Sequence, residues 1–278
     1  MLVTIAGKDI ALGLENLGLK DQTVEVHSSL SSFGHVTGGA RSVTCALLGI
    51  CRTVLVPTFS EVGRTTPPPG DRPLQNGTNY GRWLAGATKK KVIPFDPDTF
   101  GCDSAVNEEE MGIISKELLR QPATLRSNHP SVSWAASGKD TESFLHPHHP
   151  DDPNAPLKEL LDRDGRILLL GVTLRSCTAV HLAEEVAGRR PFIRWTLYKD
   201  GTVRRMREYG CSDGFCALEP HLKHLVREAQ IGSCRARAYP IREFVEICAQ
   251  KIKESPSVTI CSDRCGRCLD AVKGGPAD

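Results

Sequence analysis

The sequence predicts an α/β fold, and three observations carry that prediction. Residues 23–27 alternate polar and apolar like a strand, then pass through small polar residues into Gly38, Gly39 and a helix-spaced apolar stripe. Residues 167–172 form a short, continuous apolar run suited to a strand buried on both faces. Directly after it, residues 179–187 have helix-forming content. With 278 residues, 40% hydrophobic and 24% charged, the chain can bury a substantial core and lacks the composition of a disordered protein. We expect one domain across residues 1–278, with 254–278 as a cysteine-containing tail within it.

Taken in order, the first unit is strand, loop and helix. Strand 23–27 runs into Ser28, Ser29 and Leu30, where small polar residues make a potential binding loop. Beyond Gly38 and Gly39, the residues Val43, Ala46, Leu47 and Ile50 recur at helical spacing, which puts the glycines near a helix N-terminus. Residues 53–57 read as a second strand. Residues 64–81, with Pro67, Pro68, Pro69 and Gly70, read as a long irregular surface excursion of the kind that often borders substrate sites. Asn107 before Glu108, Glu109 and Glu110 predicts a helix start, with Asn107 as N-cap and the carboxylates favoured by the dipole. After the apolar run, His181 falls about one helical turn from Glu184 and Glu185. Ile241, Phe244, Val245, Cys248 and Ile252 mark a last amphipathic helix, beyond which the chain turns polar and cysteine-rich.

Charge and composition exclude several functions. The 35 basic and 33 acidic residues nearly cancel, so no basic footprint for nucleic acid is expected. There is no signal-peptide pattern and no apolar run near the ~20 residues of a membrane span, which predicts a soluble, cytoplasmic protein with no membrane partner. Eleven cysteines, an odd number scattered through a long chain, fit free thiols better than a disulfide framework. Cys261, Cys265 and Cys268 are the exception: their spacing makes them candidate ligands of a structural zinc, with Cys211, Cys216 or Cys234 as the fourth. His146, His148 and His149 carry metal-compatible side chains, but the prolines among them mark an exposed loop, and no metal is expected there.

The chain lacks the phosphate-loop, zinc-helix, nucleophile-elbow and dinucleotide fingerprints. What remains is an ordered set of segments: His27-Ser28-Ser29-Leu30, Val36-Thr37-Gly38-Gly39, Arg126-Ser127-Asn128-His129-Pro130, and Leu168-Leu169-Leu170-Gly171-Val172 leading to Thr178-Ala179-Val180-His181-Leu182-Ala183-Glu184. Together with Pro57-Thr58-Phe59, Met111-Gly112, His149-Pro150 and Ser212-Asp213-Gly214-Phe215, this order resembles the aminoglycoside 3-N-acetyltransferases, also called the antibiotic N-acetyltransferase family, over about residues 21–244. The resemblance implies a central mixed β-sheet flanked by helices. That fold is distinct from the more widespread N-acetyltransferase fold, whose Q/R-x-x-G-x-G/A loop is absent here. It also implies acetyl-coenzyme A as cosubstrate and a small-molecule amine acceptor, the 3-amino group of an aminoglycoside, in a monomer or homodimer.

The chemistry can be set against residues independently. An ammonium must lose a proton before its nitrogen attacks a thioester, and a neutral imidazole is suited to accept it. Spacing alone leaves His181 open to a structural or a catalytic role; the resemblance places the catalytic histidine there, with Glu184 as its orienting carboxylate. Negative charge growing on the thioester oxygen calls for backbone N–H groups, for which the loop at Ser28, Ser29 and Leu30 is the candidate. By resemblance, Ser28, Ser29, Leu30, Val36, Thr37, Gly38, Gly39 and Ser127 contact coenzyme A, and Asp213 and Thr58 face the acceptor. His129 is read either as part of that site or as a loop-bonding structural group. One departure is Cys177, where many relatives carry Asn, which bears on acceptor specificity. A covalent route through Cys177 or Ser29 is the alternative to direct transfer. Two rival functions stand beside the first: the same chemistry on a biosynthetic amine, and a non-catalytic metal or nucleic-acid binding module.

Overall fold

The computed structural model describes residues 4–87 and 92–277; positions 1–3, 88–91 and 278 of the expected domain lie outside them. The chain begins with β1 (Thr4–Ile5), α1 (Gly7–Asn16), β2 (Thr23–Ser28), β3 (His35–Val36), α2 (Gly39–Ile50), β4 (Thr53–Pro57), β5 (Arg64–Thr65), α3 (Tyr80–Ala87) and α4 (Ile113–Leu119). It continues through β6 (Leu125–Arg126), β7 (Trp134–Gly138), α5 (Thr141–Leu145), α6 (Ala155–Asp162), β8 (Arg166–Leu170) and α7 (Ala179–Val186). Then follow β9 (Phe192–Leu197), β10 (Val203–Glu208), α8 (Glu219–Leu222), β11 (Arg227–Ile231), β12 (Cys234–Pro240), α9 (Ile241–Glu254) and α10 (Gly266–Val272).

Seven strands pair in the order β11-β12-β8-β2-β4-β7-β6. The central three, β8, β2 and β4, are parallel, and antiparallel strands extend the sheet on both sides. The sheet is therefore mixed. Strand alternation sends Val24, Val26, Val54, Val56, Leu168 and Leu170 to one face, where Ile10 and Leu14 of α1, Val43 and Leu47 of α2 and Ile114 of α4 cover them. Leu55, Ile167, Leu169 and Trp134 point to the other face, under α5, α6, α7 and α9. Both faces are thus covered by helices, as parallel strands require.

On that second face β2 breaks the pattern. Where β8 places Ile167 and Leu169, β2 places Glu25 and His27, both buried. Polar side chains at the carboxyl end of a central strand mark the end of the sheet where ligands bind in open α/β folds.

A second, three-stranded antiparallel sheet, β10-β9-β5, carries the far side of the site. The excursion after β5 is tied to it by side chains. Asn76 bonds both the N–H and the C=O of Ile193, at 2.7 and 2.9 Å, and Asp71 accepts the Trp195 indole N–H at 2.6 Å.

The expected helix start at Asn107 is not observed. Asn107 accepts the Glu109 N–H at 3.1 Å in a local turn, and the helix begins at Ile113 with Gly112 as its N-cap. The Asn side chain offers the backbone a turn in competition with a helix, and here the turn wins. None of the eleven cysteines is joined in a disulfide. Among the described residues no helix is long and apolar enough to cross a membrane.

Candidate active site

Six consecutive residues of α7, from Ala179 to Glu184, are buried, because the helix packs on α9 and shares a core with Leu55, Ile167 and Leu169 of the sheet. His181 Nδ1 lies 2.7 Å from Glu184 Oε2, and Glu184 Oε1 accepts Arg189 Nη1–H at 2.6 Å. Arg189 reaches back because α7 ends in a reversal: Gly188 takes φ +98°, and the Arg189 N–H bonds the Glu184 carbonyl at 2.9 Å. Its guanidinium also donates to Thr259 Oγ1 at 2.8 Å and to the Pro256 carbonyl. Glu184 is thereby held between a cation and the imidazole. A carboxylate accepting at Nδ1 fixes the tautomer in which Nε2 carries the lone pair. Tyr209 stacks on the ring at 4.7 Å and Phe215 meets it edge-on at 4.8 Å, which locks its orientation. Burial raises the Tyr209 phenol well above its ordinary range, and its O–H donates to the Pro153 carbonyl.

His181 lines a cleft of about 740 Å³ between the main sheet and the small one. His27 lines the same cleft; its Nε2 lies 2.8 Å from Glu25 Oε1 and 3.1 Å from the Thr178 backbone N, joining β2 to the start of α7. Four arginines, Arg64, Arg175, Arg194 and Arg267, share the lining with four carboxylates, Glu61, Glu110, Glu208 and Asp213. Arg175 pairs with Asp213 at 2.7 Å, and Arg64 with Glu208 at 3.2 Å. Burial alone would raise Glu208, but Arg64 and Arg194 outweigh it and hold the carboxyl below its usual range. Glu110 moves the other way, raised by burial and by Glu61 and Glu208 nearby.

The cleft continues into a groove through the shared residues Ser28, Glu110, Met111 and Gly112. Ser29, Leu30, Val36, Thr37, Gly38 and Gly39 line this groove, so seven of the eight residues expected to contact coenzyme A meet along one wall. Gly38 is the N-cap of α2 in the left-handed region at φ +81°, and a Cβ there would lie 2.4 Å from Ser42 Oγ. Beside Gly39 the space is open. Gly38 and Gly39 bring the start of α2, where the first N–H groups have no partner within the helix, to the groove wall, a setting suited to phosphate. In the serine loop the Ser29 N–H is taken by the Leu170 carbonyl at 3.0 Å, which leaves Leu30 and Ser31 at the open start of the 3-10 turn.

Three expected residues lie elsewhere. Ser127 is buried behind the cleft, accepting the Trp134 N–H at 2.8 Å and bonded to His148 Nδ1 at 2.8 Å. Thr58 is fully buried between Pro57 and Phe59, which do line the cleft, and its hydroxyl meets Ser133. His129 takes its structural reading: Nδ1 accepts the N–H groups of Ser131 and Val132, and burial pushes the ring down to about 4. Cys177 borders the cleft, but burial raises its thiol well above the ordinary range, so it is no ready nucleophile. His27, Arg189 and Tyr209 were not singled out from the sequence. His27 stood inside a quoted motif, whereas Arg189 and Tyr209 carry no local signal.

Comparison with known proteins agrees with this geometry. The family model described as aminoglycoside 3-N-acetyltransferase matches residues 26–253. Aminoglycoside N(3)-acetyltransferase III of a Salmonella species is 34% identical over 196 residues, covering 69% of this chain and 64% of the relative, so the match spans a little under two thirds of that protein. The SPbeta prophage-derived aminoglycoside N(3')-acetyltransferase-like protein YokD of Bacillus subtilis is 28% identical over 86% of this chain and 89% of its own. Among solved structures, aminoglycoside acetyltransferase AAC(3)-Xa superposes with a TM-score of 0.72 at 28% identity over 90% of this chain and 93% of that one. AAC-IIIb, solved as a binary complex with CoASH, shares the fold at a TM-score of 0.72 and 22% identity, over 90% and 97% of the two chains. The family model spans more than half of the sequence, and the sheet is shared with the solved relatives, so this chain belongs to the aminoglycoside 3-N-acetyltransferase family.

Proposed function

We propose that the protein is a cytoplasmic acetyl-coenzyme A-dependent N-acetyltransferase that passes its acetyl group directly to the 3-amino group of an aminoglycoside, in one catalytic unit. One observation carries this reading: His181, with Nδ1 committed to Glu184, stands in a cleft that opens into the groove floored by Gly38 and Gly39. Acetyl-coenzyme A occupies the groove, with phosphate toward the start of α2 and the thioester toward His181. The coenzyme-bound state of AAC-IIIb supports that choice of cosubstrate. His181 Nε2 takes the proton of the acceptor ammonium, and Glu184, backed by Arg189, stabilises the imidazolium. The nitrogen lone pair attacks the carbonyl carbon, forming C–N. The N–H groups of Leu30 and Ser31 receive the charge on oxygen, the C–S bond breaks, and the thiolate of coenzyme A leaves and takes up the second proton, which the new amide nitrogen gives up.

A second reading changes only the acceptor. The cleft balances four arginines against four carboxylates, whereas a site for a polycation calls for an acidic excess. An amine that also carries a carboxylate or phosphate fits that lining. The discriminating experiment is release of free thiol from acetyl-coenzyme A across gentamicin-type aminoglycosides, simple amines and amines bearing an anionic group. The first reading predicts turnover with the aminoglycosides. Turnover confined to the anionic amines moves the assignment to the second, and no thiol release with any amine overturns both.

A further inference from the structure

Four cysteines that the reaction does not use converge on one point. Cys211 stands in the loop after β10, Cys261 follows the 3-10 turn Pro256–Thr259, and Cys265 and Cys268 begin α10. Their four sulfurs all lie within 4.8 Å of one another. Cys211 Sγ is 3.7 Å from Cys261 Sγ, and Cys268 Sγ is 3.6 Å from it. A disulfide needs about 2.05 Å between sulfurs. Four Zn–S bonds of about 2.3 Å in a tetrahedron separate the sulfurs by about 3.8 Å. Both separations at Cys261 match a tetrahedral thiolate site, and the other sulfurs stand close enough to share one ion.

The surroundings fit the same reading. Of the three candidates for a fourth ligand, Cys216 is exposed, Cys234 lies against Gly171 on the main sheet, and only Cys211 joins the cluster. The two segments that meet here are pressed backbone to backbone: a Cβ on Gly214 would lie 2.2 Å from the Thr259 carbonyl oxygen. Two ligands are buried and Cys261 is exposed, so an ion has a route in from solvent.

We infer that Cys211, Cys261, Cys265 and Cys268 form a structural zinc site that pins the loop after β10 to the C-terminal segment. Such a closed four-sulfur site leaves no position for a substrate and contributes folding energy. It also bears on the cleft, because Asp213 and Arg267, which line it, stand beside ligands on the two pinned segments. The site is independent of the reaction assigned to His181.

The test is metal content of the full chain, purified without chelators from zinc-supplemented culture, with cobalt(II) exchange to report the ligand set. Wild type and Cys216→Ser are expected to hold about one zinc per chain and to give the sulfur-to-cobalt charge-transfer band of a four-thiolate tetrahedral site. Cys211→Ser and the double variant Cys265→Ser, Cys268→Ser are expected to lose zinc at least tenfold. Should those variants fail to fold, mercurial titration of the wild type must release one zinc as four thiols are modified. Zinc-free wild type that takes up no cobalt, a disulfide within the four, or Cys211→Ser with full zinc and a four-sulfur spectrum would overturn the assignment.

Discussion

At the residue scale, His181 and Glu184 are positioned by helical spacing, and Arg189 by the turn that ends the helix. Removing the guanidinium leaves the Glu184 carboxylate buried with its charge uncompensated, which costs about 3 kcal/mol in comparable buried pairs. Arg189→Gln is therefore expected to lower stability by about that amount. It should also cut kcat by roughly 10- to 100-fold while leaving coenzyme A affinity unchanged, since the effect passes through the imidazole. Steady-state kinetics and calorimetric binding check this; an equal loss in coenzyme A affinity would contradict the positioning role. The sequence revealed two members of this relay because His181 and Glu184 are three residues apart on a recognisable helix. Arg189 was hidden because it meets Glu184 only after the reversal at Gly188, a tertiary consequence that spacing along a helix does not encode. Tyr209 was hidden for the same reason, reaching His181 from the strand end after β10.

At the element scale, the β2, serine-loop and α2 unit was legible because alternation, small residues, glycines and helical periodicity follow one another without interruption. The acidic segment was misread because the same Asn that caps helices also closes turns, and the choice was made by packing: the Asn107 N–H is held by the Phe59 carbonyl at 2.8 Å. The groove depends on the backbone at Gly38. Gly38→Ala must accept a left-handed conformation at about 1 kcal/mol and displace Ser42, whose hydroxyl holds the Thr37 carbonyl at 2.6 Å. We expect a melting temperature lower by a few degrees and a KM for acetyl-coenzyme A raised severalfold, with kcat changed less. A variant with unchanged KM would place the cosubstrate elsewhere.

At the scale of the whole molecule, the parallel centre of the sheet was readable from its apolar runs. The small sheet was not: β10, Val203–Glu208, is mostly charged and β9, Phe192–Leu197, falls between the quoted motifs, so neither announces itself without its partner. Behind the sheet edge, His129 and His148 stack at 4.9 Å, both buried, where desolvation disfavours the charged ring. Burial pushes His129 down to about 4 and His148 well below its ordinary value. Unfolded, both titrate near about 6.5. Between those values the unfolded chain binds protons that the folded chain does not, so stability falls as the pH drops below about 6.5. Each histidine contributes at most about 1.4 kcal/mol per pH unit, and the His129 contribution levels off below about 4. His129→Asn keeps an acceptor for the loop and removes that titration, so its melting temperature should fall less steeply with acid. An unchanged slope would mean that the folded ring already carries its proton.

The most direct test of the account is to measure acetyl transfer and coenzyme A binding side by side in His181→Ala. With the base removed and the groove intact, turnover should drop by at least 10²-fold while the dissociation constant for coenzyme A stays within about threefold of wild type. Near-normal turnover in that variant would contradict the assignment of His181 as the group that deprotonates the amine.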